Sequence, residues 1–206
     1  MEIRIRNDSV EIDGYVNSVE RKSKPLNSRM GKFVERICKG AFKRSLERED
    51  DVRLLLNHDR SKDLGGIKDG NLELYEDNIG LRARATITDP DVIQKARNGD
   101  LRGWSFGFMD RDVENKRDED GYPLRNVRDL DLKEVSLLDR TKTPAYDGTL
   151  VTVRADEEGL FIGDEFTDEI NIREESPVEE VQTQVEEPVK QIDYSELDKL
   201  IADMKS

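Results

Sequence analysis

Histidine is nearly absent from this chain: its 206 residues include one, His58. Any imidazole-based proton transfer near neutral pH must therefore use His58. Metal sites that need two histidines from one chain, HExxH among them, are excluded. Cysteine is equally scarce. Cys38 alone cannot close an internal disulfide, so the fold needs no oxidising compartment. Its expected role is that of a small buried apolar residue rather than a nucleophile. No apolar run nears the ~18 residues needed to cross a bilayer. The opening segment MEIRIRNDSVEIDG lacks the apolar core of a signal peptide. A surplus of positive charge is also missing. The formal net charge is -13, with 17 acidic and 4 basic residues in 155–206 and 30 of each sign in 1–154. The balanced body argues against nucleic-acid contact, and the acidic end reads as a solvating or interaction tail. A cytosolic or particle-enclosed protein is expected, with no membrane role.

What is present is mostly short, alternating apolar segments. Ile3, Ile5, Val10 and Ile12 flank an Asn7-Asp8 turn, which predicts a β-hairpin. KGAFKRSLERE (39–49) has helical spacing. Val52–Asn57 (VRLLLN) predicts a buried strand that delivers His58 at its end. A Gly65-Gly66 turn, a short strand at Ile67, an Asp69-Gly70 turn, LELYED and GLRARATI follow. Asp89-Pro90-Asp91 then signals a capped helix that stops at Gly99. Leu101–Met109 reads as a strand carrying Ser105, residues 110–122 as a loop or hairpin tip, and Val127–Leu138 as a strand with Leu132, Glu134, Ser136 and Leu138 on one face. The body closes with an Asp147-Gly148 turn and a strand, TLVTVRA. From about Ala155 the composition is too polar to offset its ordering entropy. Leu197, Leu200, Ile201 and Met204 nevertheless share one helical face after an Asp193/Glu196 capping pair.

The chemistry-bearing residues are few. Ser105 sits in GWSFG, where Gly103 and Gly107 permit close backbone approach and exposed N–H groups for an oxyanion. The glycine spacing differs from the G-x-S-x-G elbow. His58 is the only available histidine base for Ser105, and a carboxylate is required to orient it. Glu134, amid the apolar residues of LKEVSLL, is the first choice. Asp59 is a strand neighbour of His58 and faces away from it, and Asp129 and Asp131 are weaker alternatives. Each of these residues also has a bland reading as a solvent-facing charge or a small strand residue.

Together, Gly14-Tyr15, KGAFKRSL, VRLLLNHD, ARNGDLRGWSFGF, LKEVSLL and TPAY resemble the tailed-phage prohead proteases. These are capsid-maturation serine proteases with a fold similar to herpesvirus assemblins. The resemblance spans roughly residues 10–153. It implies a catalytic triad of His58, Ser105 and Glu134 without metal or organic cofactor. It also implies an α+β, mostly β fold with a barrel-like antiparallel core and a few flanking helices. Lys39 stands where a proline often precedes GAF. Trp104 replaces a smaller aliphatic, which bears on the substrate pocket. The implied organisation is a serine protease domain at 1–154, then a flexible acidic, largely disordered tail at 155–206 with a short helix at about 193–204. The expected substrates are major capsid protein and scaffold segments, and the chain itself, inside the prohead in the host cytoplasm. Because assemblins dimerise, a homodimer is compatible with the resemblance. The alternative is a non-enzymatic scaffolding or capsid-assembly protein that uses the acidic tail.

Overall fold

Alternation at the N-terminus produces the first pairing. In the computed structural model, which describes residues 1–28, 31–141, 161–162 and 170–174, β1 (Glu2–Ile5) and β2 (Val10–Ser18) form an antiparallel hairpin with Ile5 opposite Val10. There follow β3 (Leu26–Ser28), β4 (Gly31–Ile37), α1 (Ala41–Arg48), β5 (Arg53–Leu56), β6 (Asp59–Gly66), β7 (Leu72–Glu76) and β8 (Gly80–Ile87). After α2 (Pro90–Arg97) come two 17-residue strands, β9 (Leu101–Arg117) and β10 (Pro123–Asp139), and then the short β11 (Phe161–Ile162) and β12 (Asn171–Glu174). The class is α+β and mostly β.

The expected antiparallel barrel differs from what forms. The described strands make two sheets and no closed barrel. One sheet has the order β12-β1-β2-β8-β7. The other follows β11-β9-β10-β4-β3, with β5 also on β10 and β6 on β5. Nor is the second sheet antiparallel throughout, because β4 and β5 both run parallel to β10. β4 and β5 lie end to end along one edge of β10, and α1 carries the chain across the gap between them without reversing it. Apolar faces of both sheets and Phe42 of α1 build one core, including Ile3, Ile12, Phe106, Phe108 and Leu132.

The backbone of β10 explains the placement of α1. On one edge β10 pairs with β9. On the other, β4 covers Leu124–Val127 and β5 covers Glu134–Leu137. The gap between them needs other partners, since buried backbone groups are expensive to leave unpaired. The buried Ser45 hydroxyl of α1 accepts the Leu132 N–H at 2.7 Å, and Arg48 donates to the Leu130 carbonyl at 2.7 Å. The helix start is held by Glu76 of β7, whose carboxylate accepts from the Gly40 and Lys43 N–H groups. In α2 the expected cap is present: the Asp89 side chain accepts from Asp91 and Val92 at 2.9 and 3.0 Å.

Several polar stretches pair where the sequence suggests loops. Residues 110–117 continue β9, because charge pairs across the ladder replace apolar alternation. Arg125 meets Asp110, Arg128 meets Glu114, and Arg111 meets Asp131. β6 (DRSKDLGG) absorbs Gly65-Gly66 into a strand, and Ile67 falls in the turn after it. β3 and β4 were likewise not expected, and β11 and β12 pair with the body beyond Ala155. TLVTVRA and the helix expected at 193–204 lie outside the described residues.

Replacing Ser45 by alanine leaves the Leu132 N–H buried without its acceptor. Ser45→Ala is expected to destabilise the fold by about 1–3 kcal/mol, read as a lower urea midpoint with unchanged m-value.

Candidate active site

The strand RLLL (β5) is apolar because Leu54, Leu55 and Leu56 are all buried. It ends in a two-residue turn, Asn57-His58, with Leu56 paired to Asp59 of β6. Both turn residues have φ of 58°, the sign required by a type I′ hairpin. Left-handed backbone is unfavourable for a histidine, and tertiary bonds hold it there. The Asn57 N–H donates to the Leu137 carbonyl at 2.8 Å, and the Asn57 Oδ1 accepts the Asp139 N–H at 3.0 Å. The His58 N–H donates to Ser136 Oγ at 3.1 Å. At the far end of the hairpin, Arg53 bonds Asp51, Asp63 and Asp69.

A β-bulge aims the carboxylate. Leu132 pairs with Phe108, but Glu134 pairs with Gly107, so Lys133 is the extra residue. The core-facing residues of β10 change from Leu130 and Leu132 to Val135 and Leu137 across it. Glu134 and Ser136 therefore leave the core face that Leu132 occupies, which corrects the single-face expectation. Glu134 Oε1 lies 2.6 Å from His58 Nδ1, and Ser136 donates its hydroxyl to Glu134 Oε2 at 2.7 Å. With a carboxylate at Nδ1, the neutral ring carries its proton there and leaves Nε2 as an acceptor. Glu134 is 5% exposed and the His58 side chain 17%, so the bond lies largely out of water.

Ser105 is directly opposite Ser136 in the β9–β10 ladder. Directly opposed antiparallel residues project to the same face, so Ser105 shares a face with Glu134 and Ser136. Its neighbours Trp104 and Phe106 point into the core, where Phe106 meets Phe42 edge-on at 5.2 Å and Phe108 at 5.5 Å. Trp104 packs beside Gly14 and is 1% exposed. It is thus a core residue, not part of the expected substrate pocket. Gly107 has a specific function here: a Cβ at that position would stand 2.5 Å from Glu134 Oε1. The carboxylate occupies space that only glycine leaves open.

The other candidate acids are engaged elsewhere. Asp59 turns to its own Ser61, while Asp129 and Asp131 bind Arg48 and Arg111. Cys38 is half-buried, and burial followed by the nearby Glu20 pushes its thiol pKa up, which suppresses the thiolate. Two contributors escaped the sequence reading: Ser136, bridging Glu134 to the His58 backbone, and Asn57. Their signals are Asn before His at a strand end, and the apolar phase slip in LDLKEVSLL.

The turn is also tied to Asp139. Burial would raise the Asp139 pKa, but hydrogen bonds from Thr141 and Asn57 and the charge of Lys95 outweigh it and hold the carboxyl at about 2. Its ordinary value is 3.8.

The family model for caudovirus prohead serine proteases matches residues 1–164. No curated protein and no solved structure matches the chain.

Gly107→Ala is expected to push the Glu134 carboxyl off Nδ1 and reduce turnover by about 10²-fold or more, with a smaller effect on KM; steady-state kinetics on a peptide substrate check this. For Asp139 the folded-state pKa is depressed, so its stabilisation is complete above the unfolded pKa near 4 and disappears as pH falls through about 2. Asp139→Asn should therefore cost roughly 2 kcal/mol at pH 7 and almost nothing at pH 2, measured by denaturant melts across that range.

Proposed function

The chain belongs to the caudovirus prohead serine protease family, and on that premise we propose that Ser105, His58 and Glu134 are its catalytic triad. The observation that carries this reading is the 2.6 Å bond between the sole histidine and a buried carboxylate, two ladder positions from Ser105 and on the same sheet face. Nε2 takes the Ser105 proton as Oγ attacks the scissile carbonyl carbon. Glu134 keeps the ring in the tautomer that can accept it and stabilises the imidazolium that results. Collapse of the tetrahedral intermediate breaks the peptide C–N bond, and Nε2 returns the proton to the leaving amine. Water then enters by the same base and releases the acyl group from Ser105.

Ser136 is a positioning residue in this scheme. It fixes both the second carboxylate oxygen and the backbone of the turn that presents the imidazole. The chemistry uses no metal or organic cofactor. The substrates we assign are capsid-protein extensions and scaffold segments within the immature capsid, with the chain itself as a further substrate. Family membership supports a protease over the non-enzymatic assembly protein weighed from the sequence.

Ser105→Ala and His58→Ala are each expected to lower processing by about 10⁴–10⁶-fold while the chain stays folded. Glu134→Gln, which disturbs the tautomer, is expected to cost about 10³–10⁴-fold. The check is the mass of capsid and scaffold proteins co-expressed with each variant; wild-type processing by His58→Ala would overturn the mechanism.

A further inference from the structure

Every residue of β10 from Arg128 to Lys133 is held by α1. Arg44 donates to the Arg128 carbonyl and Arg48 to the Leu130 carbonyl, while Ser45 Oγ accepts the Leu132 N–H. Between these backbone bonds, Arg48 pairs with Asp129 and Asp131 at 2.9 and 3.3 Å. The last contact is an ion pair. Lys133 Nζ lies 2.7 Å from Oε1 of Glu49, the residue that closes α1. One residue further on the partner changes: Glu134 opposes Arg53, and β5 keeps that register through Leu137. The extra residue of the bulge is therefore the last one gripped by the helix. The carboxylate that reaches His58 belongs to the first one gripped by β5.

Leu132 is fixed by its N–H bond and Glu134 by the β5 ladder, so the slack of the bulge is concentrated in Lys133. Lys133 has no opposite residue on β9, as is usual for the inserted residue of a bulge. Rotation of its backbone would swing the next side chain, and Glu134 has little room for that. Its Oε1 sits 2.6 Å from Nδ1 of His58 and fills the space beside Gly107. An anchor on the Lys133 side chain removes the rotation. Stability alone does not account for that anchor. The C-terminal end of a helix favours cations, so a carboxylate at the end of α1 has the wrong sign for the helix. The Lys133 and Glu49 side chains are also 36% and 22% exposed, and ion pairs of that kind add little to folding. What the pair supplies is position.

We propose that the Lys133–Glu49 ion pair is a positioning contact for the triad: by pinning the bulge residue it holds the Glu134 carboxylate against His58 Nδ1. Lys133 and Glu49 act through the backbone that carries Glu134, and neither takes part in the bond-breaking steps. This rests on the reading of Glu134 as the acid that orients His58. It makes α1 part of the catalytic apparatus as well as part of the core.

The test uses the full chain and its single histidine, which gives one imidazole Nδ1–H resonance in the proton NMR spectrum. A short bond to a carboxylate moves that resonance downfield, and lengthening the bond moves it back. Lys133→Met keeps the aliphatic stem and deletes the cation, while Glu49→Gln breaks the pair from the helix side. Each is expected to move the resonance upfield and to lower kcat on a peptide substrate about tenfold, with KM nearly unchanged. The double variant should be no worse than either single one, since both remove the same contact. Lys133→Arg, which still reaches Glu49, should keep both readouts near wild type. A pair that serves stability alone would lower the urea midpoint and leave the resonance of the folded chain in place. That outcome, or additive losses in the double variant, overturns the proposal. Glu134→Gln separates the proposal from the reading beneath it. If Glu134→Gln loses turnover while Lys133→Met and Glu49→Gln keep wild-type turnover and resonance, the positioning role fails and the triad stands. Wild-type turnover by Glu134→Gln sinks the triad reading, and the catalytic role of the pair with it.

Discussion

One extra residue in β10 decides what the second sheet can present. Just before Lys133, Leu130 and Leu132 enter the core; just after it, Val135 and Leu137 do. Without that slip, a Glu134 in phase with Leu132 would be driven toward the core packed around Phe106 and Phe108, where a carboxylate has no partner and a high desolvation cost. With the slip, Val135 and Leu137 fill the core while Glu134 and Ser136 face the histidine. The bulge converts a strand of unremarkable composition into one that is apolar on one face and reactive on the other.

The same strand also determines how His58 arrives. β10 is covered on one edge by two parallel strands placed end to end, and α1 both connects them and bonds the backbone left between them. β5 is therefore locked to Glu134–Leu137 by its register, and the turn after β5 emerges beside the carboxylate. His58 and Glu134 are thus brought together by a single pairing rather than by two independently mobile loops, which suits the sub-ångström placement that the proposed proton transfer requires.

Much of this was legible in the sequence where apolar periodicity was strong. The β1–β2 hairpin, both helices with the Asp89 cap, and the strands carrying Ser105 and Glu134 all followed from spacing. The pairing of His58 with Glu134 followed from the scarcity of histidine together with an acid in an apolar strand. Illegible were the parts stabilised by other means. Residues 110–117 and β6 are held by charge ladders and backbone bonds, which leave no period-two apolar signature. The parallel pairing of β4 and β5 end to end on β10 is a long-range contact that no local pattern encodes. The resemblance placed Trp104, standing for a smaller aliphatic, at the substrate pocket, but the alternation of β9 sends it into the core.

The turn that presents His58 carries a consequence for how the protein can change. Two consecutive left-handed residues suit Asn-Gly, and a histidine in the second place is disfavoured by about 1 kcal/mol or more. A screen that rewarded thermal tolerance alone would drift toward glycine at position 58, gaining robustness while discarding the imidazole. Under the proposed mechanism, stability and activity are therefore opposed at one residue, and the bonds from Ser136, Leu137 and Asp139 to the turn are the compensation that keeps both. Engineering for heat resistance has to begin with those anchoring bonds and leave the tip of the hairpin untouched.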